Sequence, residues 1–347
     1  MEKARKCQRL AYIDFMNIAA CFGVICMHCS GSVHLYGMTE NRLWILSMAV
    51  QTIAHSSIPV FFMITGTTLL EYRKKYDTKT FFKKRFLRVG IPFFFWTILY
   101  MLLPMIMDGA PAPEAIAWRD AFLANGANNV FWFFYAIFGI YLCMPVLSLI
   151  AKEEYFKTIE YLCAGAFITV AVYPAIIRFV APIAGEILPP IMGGYIGYIF
   201  IGWIILHESF SKKVRYFIYG TGIVGAVLMF FGTWYLSAHT GSLDTFFMDY
   251  NSIACFPMSV AVMLFGKHIP WESVYRRIPE RVVTKIASAG LGIYVIHMIF
   301  IRLFDKFPII YEHPMYITVF GPIGVYLVSL GVVLVLQKIP IVKYVIP

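Results

Sequence analysis

Charge is scarce in this 347-residue chain. Asp, Glu, Lys and Arg make up 14% of it, against roughly 25% in a soluble domain, so a water-soluble globule is excluded. Acid is scarcer than base, 19 residues to 29, for a formal net charge of +10. The excess does not point to nucleic acid, because the basic residues flank apolar segments rather than forming a basic domain of their own. Cysteine is sparse and odd in number, with seven residues at 7, 21, 26, 29, 143, 163 and 255, and no spacing suggests a disulfide framework. Internal repeats, low-complexity tracts and a soluble appendage are all lacking. The basic start (Lys3, Arg5, Lys6, Arg9) leads into an apolar run of about twenty residues, long for a secretory signal core. That run holds Asp14 and Asn17, and no small-residue cleavage site follows, which predicts a retained first span.

What the chain does hold is hydrophobic sequence, 60% of all residues, with 17% aromatic. Ten stretches are long enough to consider as spans, approximately 10–30, 43–70, 86–107, 129–150, 159–181, 187–206, 214–236, 251–266, 286–304 and 315–337. A transmembrane helix needs about twenty apolar residues. Spans 1, 3, 4, 5, 7 and 10 meet this easily. The second is long and contains Pro59, which predicts a kink or tilt. The sixth and eighth are marginal, and the eighth contains Pro257. If the first span begins in the cytoplasm, the outward gaps and the span ends beside them hold Arg42, Arg119, Arg178, Arg302 and Lys306 and no other Lys or Arg. Basic residues resist translocation, so this bias orients the chain with both termini inside. The expectation is an all-α integral membrane protein, a bundle of about ten transmembrane helices forming one domain over 1–347, in a cell membrane. The basic inward gaps are also candidates for contact with anionic headgroups of the lipid bilayer.

One motif is a decoy. Gly220, Gly222 and Gly225 spell G-x-G-x-x-G, which binds dinucleotides only between a strand and a helix. Here it lies inside the seventh span, where small residues serve close helix packing.

Ionisable groups within a bilayer are costly and are the default functional candidates. Asp14, Asn17 and His28 fall on one face of the first span, Asn17 and His28 being close to three turns apart. His28 then lies near the outer end, either as an interface histidine or as a reactive one. Gln51 and His55 sit one turn apart on the second span with Ser56 beside them, and hydrogen bonding between helices competes with a catalytic role for His55. The ninth span adds Tyr294 and His297. Neutral imidazole suits proton transfer. Cys26, His28 and Cys29 are close in sequence, but His28 and Cys29 point about 100° apart on a helix, so no metal site is expected. At the start of the third span, Arg85 and Arg88 share a face. They serve either as orientation charge or as a bidentate phosphate clamp.

At this point the chain resembles a known family, the membrane-bound O-acyltransferases of bacteria called acyltransferase family three, which modify surface glycans. The resemblance covers most of the chain and all ten spans. It rests on His28 in Val24-Ile25-Cys26-Met27-His28, on Ile58-Pro59-Val60-Phe61-Phe62-Met63-Ile64-Thr65-Gly66, and on Arg85 and Arg88 followed by Pro92 and Trp96. It rests further on Trp132-Phe133-Phe134-Tyr135-Ala136 with Tyr141 and Pro145, and on Gly292-Ile293-Tyr294-Val295-Ile296-His297. One position departs, since the family usually has Arg or Lys eleven residues before the first-span histidine, where this chain has Asn17.

The resemblance implies an enzyme with no permanently bound cofactor that takes acyl-CoA, above all acetyl-CoA, as donor from the cytoplasm. Its acceptor would be a hydroxyl of a cell-surface or lipid-linked glycan, and its location the bacterial inner membrane. Arg85 and Arg88 would hold the donor's phosphates. His28 would act as general base or acyl carrier, with Asp14 and Asn17 orienting groups, while His55, Tyr294 and His297 line the substrate cavity. The competing class is a transporter or flippase of a glycan or polar solute, since ten spans with intramembrane polar groups and Pro-interrupted helices also suit solute movement. A receptor or structural membrane protein ranks last, because it leaves the arginine pair and the polar face without purpose.

Overall fold

The computed structural model describes residues 2–35, 41–180, 194–308 and 313–347. Among these the chain is helical throughout, with no strand. Six helices are long and apolar enough to cross a membrane: Tyr12–His34, Arg42–Lys74, Thr78–Asp108, Asn129–Ile150, Glu153–Phe179 and Lys212–Thr240. A seventh span is broken, Glu280–Ser288 and Gly290–Phe304 meeting at 57°. Two apolar helices, Tyr195–His207 and Gly321–Leu336, are shorter.

Each of the ten expected stretches contains helix, and among the described residues six, or seven counting the bent pair, are long and apolar enough to cross a membrane. The tenth, expected to be ample, is a 16-residue helix preceded by the separate turn Met315–Val319. Residues 187–193 of the expected sixth stretch lie outside the described residues. The eighth begins at Cys255, after a turn in which Ser252 accepts the Cys255 N–H at Oγ (3.0 Å) and the Phe256 N–H at its carbonyl (3.0 Å). Pro257 then falls in the first turn, where a missing N–H costs nothing.

Helices are numbered in chain order: α1 Glu2–Cys29, α2 Ser32–Leu35, α3 Arg42–Ala54, α4 Ser57–Leu69, α5 Thr78–Arg85, α6 Ile91–Asp108 and α7 Ala115–Leu123. They continue with α8 Trp132–Ile150, α9 Phe156–Phe167, α10 Tyr173–Phe179, α11 Tyr195–His207, α12 Lys212–Val227, α13 Thr233–Thr240 and α14 Cys255–His268. The last are α15 Trp271–Tyr275, α16 Glu280–Ser288, α17 Gly290–Phe304, α18 Met315–Val319 and α19 Gly321–Leu336.

Proline sets several breaks. Pro59 cannot donate to the carbonyl of His55, and the long second span divides at His55–Ser56 into α3 and α4. Pro92 leaves the Arg88 carbonyl without its usual donor, and the chain passes from α5 to α6 through a π-helical turn, Phe86–Gly90. Pro174 has the same effect on Ile168–Val172 between α9 and α10. A proline ring removes one hydrogen bond and crowds the preceding turn, and a π turn absorbs both.

α1 is central and packs against α3, α4, α14, α16, α17 and α19. The Arg42–Lys74 span is 72% buried within the protein, whereas Glu153–Phe179 and Lys212–Thr240 are 17% buried and form the rim. α1 and α17 run in the same direction. Asn17 Nδ2 donates to the Ala287 carbonyl (2.9 Å) near one end, and the rings of His28 and His297 lie 5.2 Å apart near the other.

Glycines set the closest helix approaches. A Cβ on Gly66 would lie 1.9 Å from the Ile199 carbonyl oxygen, and one on Gly202 2.1 Å from that of Met63. α4 and α11 thus meet backbone to backbone through two small residues. The G-x-G-x-x-G run packs helices as well. A Cβ on Gly222 would strike Ala261 and one on Gly225 the Ala254 carbonyl, whereas Gly220 has nothing within 4 Å. Gly202→Val is expected to destabilise the protein by about 1–3 kcal/mol, the usual cost of overpacking a filled interface. Thermal unfolding in detergent should show a lower Tm for this variant and an unchanged one for Gly220→Ala.

Candidate active site

Two polar cavities are built against opposite ends of α1. The first, about 330 Å³, is lined by Asp14 and Asn17 of α1, Thr65 and Thr68 of α4, Arg85, Arg88, Tyr141 of α8, and Ser288 and Tyr294. The second, about 610 Å³, is lined by His28, His34, Gln51, His55, Asn129, Trp132, Asp249, Tyr250 and Tyr294 among others. Fourteen residues separate Asp14 from His28, or about 21 Å along the helix at 1.5 Å per residue.

The first cavity is cationic. The Arg85 guanidinium lies over the rings of Phe81 and Tyr141, 5.9 Å from each centroid. Its Nε is buried and has no hydrogen-bond partner. No carboxylate forms an ion pair with Arg85 or Arg88 among the described residues. The π turn places Arg88 one turn beyond Arg85, so both reach the same space. Asp14, in the same cavity, accepts from the Thr284 hydroxyl (3.0 Å). Asn17 is likewise bound to α16, through the Ala287 carbonyl. Two guanidinium groups that face a cavity without a paired carboxylate carry the planar donors that an anion such as phosphate would require.

The second cavity holds the imidazoles. His28 lines it near the C-terminal end of α1. Gln51 ties that end, its Nε2 donating to the carbonyls of Met27 (2.7 Å), which also accepts the Ser30 hydroxyl (3.2 Å), and of Ser30 (3.4 Å), just past the helix. Behind His28, His297 is fully buried. Its Nδ1 lies 2.6 Å from the Tyr294 carbonyl. A carbonyl only accepts, so Nδ1 carries the proton and leaves Nε2 as a bare, buried lone pair without a partner. The opposite wall is a run of stacked rings, with His55 on Tyr250 at 5.0 Å and Tyr250 on Trp132 at 5.6 Å.

The residues singled out from the sequence are thus divided. Asp14, Asn17, Arg85 and Arg88 share one cavity, His28 and His55 the other, and Tyr294 touches both. Asp14 and Asn17 make no contact with His28, although all three share a face of α1. His297 lines neither cavity; it is fully buried and packs against His28 behind the wall. Sequence reasoning missed His34, Asn129, Thr245, Asp249 and Tyr250. The last three sit between α13 and α14, around the short 3-10 turn Phe246–Met248, where the adjacent polar residues Asp249 and Tyr250 precede an expected span.

A family model described as an acyltransferase domain, acyltransferase family 3, matches residues 10–337, nearly the whole chain. The chain belongs to this family. No curated protein and no solved structure matches it. The protein is therefore an acyltransferase that moves groups other than aminoacyl groups. With its several long apolar helices, it is a multi-pass membrane acyltransferase.

Gln51 gives this acyltransferase a prediction of its own. Gln51→Leu keeps the bulk and frees the α1 carbonyls, at a cost of about 1 kcal/mol for a hydrogen bond between membrane helices. The turn carrying His28 loosens, so kcat for acyl transfer should fall while the donor KM stays unchanged.

Proposed function

We propose that the protein transfers an acyl group, above all acetyl, from acyl-CoA to a hydroxyl of a cell-surface or lipid-linked glycan. The observation that carries this reading is the pairing of an unneutralised arginine cavity with a histidine cavity at opposite ends of one helix. Arg85 and Arg88 bind the donor's phosphates at the membrane face that the basic residues mark as cytoplasmic. The thioester arm extends along α1 towards His28. There the imidazole removes the proton from the acceptor hydroxyl. The oxygen attacks the thioester carbonyl, the carbon–sulfur bond breaks, and the imidazolium returns its proton to the departing thiolate, giving the ester and free CoA. The wall of Trp132, Tyr250 and His55 offers apolar ring faces beside polar edges, which suits a sugar. Enclosure of the reaction excludes bulk water, which would otherwise hydrolyse the thioester. The membrane on this reading is the bacterial inner membrane, with donor delivered from inside and product formed towards the outside.

Two results test the reading. His28→Ala should lower the transfer of radiolabel from acetyl-CoA to a glycan acceptor by about 10²-fold or more, the usual contribution of a general base, while the protein still inserts and purifies. Full activity in that variant would remove His28 from the chemistry. Arg85→Ala and Arg88→Ala should each raise the KM for acetyl-CoA, with binding of the dephosphorylated donor fragment unchanged. Purified protein that carries solute across vesicles and forms no covalent product would instead make this a transporter.

A further inference from the structure

Tyr294 is the residue common to the linings of the arginine and histidine cavities. Its side chain is 7% exposed. Its hydroxyl donates to the Val130 carbonyl, in the turn Asn129–Phe131 that opens α8. Its ring sits edge-on to Phe133 at 5.8 Å and to Phe134 at 5.7 Å. Val130 lines the histidine cavity, and Phe133 and Phe134 line the arginine cavity. The phenol therefore crosses from α17 to α8 at the boundary between the two spaces. The surrounding wall is aromatic and apolar, so the hydroxyl's tie to Val130 is the polar contact that holds this side chain across the gap.

We propose that Tyr294 is the gate between the two cavities. Hydrogen-bonded to Val130, it closes the passage. Released, it swings aside and joins the arginine cavity to His28. What passes is the acyl thioester arm, a point that rests on the acyl-transfer reading above, whereas the existence of the passage does not. A second connection fits the role. The Tyr294 backbone carbonyl holds Nδ1 of His297, and His297 packs against His28. The gate residue and the support of the reactive imidazole are thus one turn of one helix.

The test uses full-length protein in sealed vesicles, with its natural cysteines replaced and one thiol introduced in the histidine cavity as Thr245→Cys. A small membrane-impermeant cationic methanethiosulfonate is added at the face carrying Arg88, with glutathione sealed on the opposite side to quench leakage. With Tyr294 in place, labelling from the Arg88 face should be slow. In Tyr294→Ala it should rise at least about tenfold, because an open state that is otherwise a minor population of 10% or less becomes permanent. Tyr294→Phe keeps the ring and loses only the tie to Val130, and should give a smaller rise. Labelling from the His28 face is the folding control and should not change. A rise in either variant supports the gate. An unchanged rate in every variant that keeps this control overturns it. Acetyl-CoA hydrolysis without acceptor is measured in parallel and should quicken in Tyr294→Ala. If no variant turns over acetyl-CoA while labelling still responds, the acyl-transfer reading fails and the gate stands.

Discussion

Carbonyls left bare where membrane helices end or break must find donors inside the protein, because lipid offers none. This constraint organises the molecule. Gln51 serves the end of α1. The Cys255 thiol points at the His55 carbonyl that Pro59 exposes, 3.8 Å away. Tyr294 serves Val130, and Asn17 serves Ala287 where the ninth span bends. Lys267 reaches the last carbonyls of α11, and Trp271 that of Gly266. Many of the polar side chains within the bundle are therefore spent on backbone, and both cavities form where those repairs cluster.

The residues left over after this accounting are informative. Among the described residues Arg85 and Arg88 have no acidic partner, and Nε2 of His297 has no donor. At the other end, Arg119, Arg178, Arg302 and Lys306 each meet a carboxylate. Exposed ion pairs of this kind add little stability, but they neutralise four of the five basic residues expected on the outer side. The net result is a cationic pocket at one end of α1 and an aromatic, imidazole-bearing one at the other.

Much of this was legible before any coordinates. Hydropathy located helix in every expected stretch, and the spacing of Arg85 and Arg88 predicted their shared face. The periodicity of α1 put Asp14, Asn17 and His28 in line. It did not reveal that the line serves two cavities, because a shared face says nothing about what packs against each turn. The ends and bends of the helices were not legible for a related reason. Apolar length alone does not show that the eighth helix begins only at Cys255, or that the ninth stretch bends at Ala289. His297 looked like a cavity residue beside Tyr294, yet three positions along a helix were enough to turn it behind the wall.

The sequence by itself determined that the chain lives in a membrane, which residues are too polar to be there without cause, and that Pro59 would interrupt the long second stretch. These are properties of single segments and their solvent. Only the tertiary structure decided which interruptions meet and which polar groups are consumed by backbone. It also decided that one tyrosine stands between the arginines and the histidine. Those facts depend on contacts between helices far apart in sequence, set by close backbone approach at residues such as Gly66 and Gly202, which no local pattern encodes.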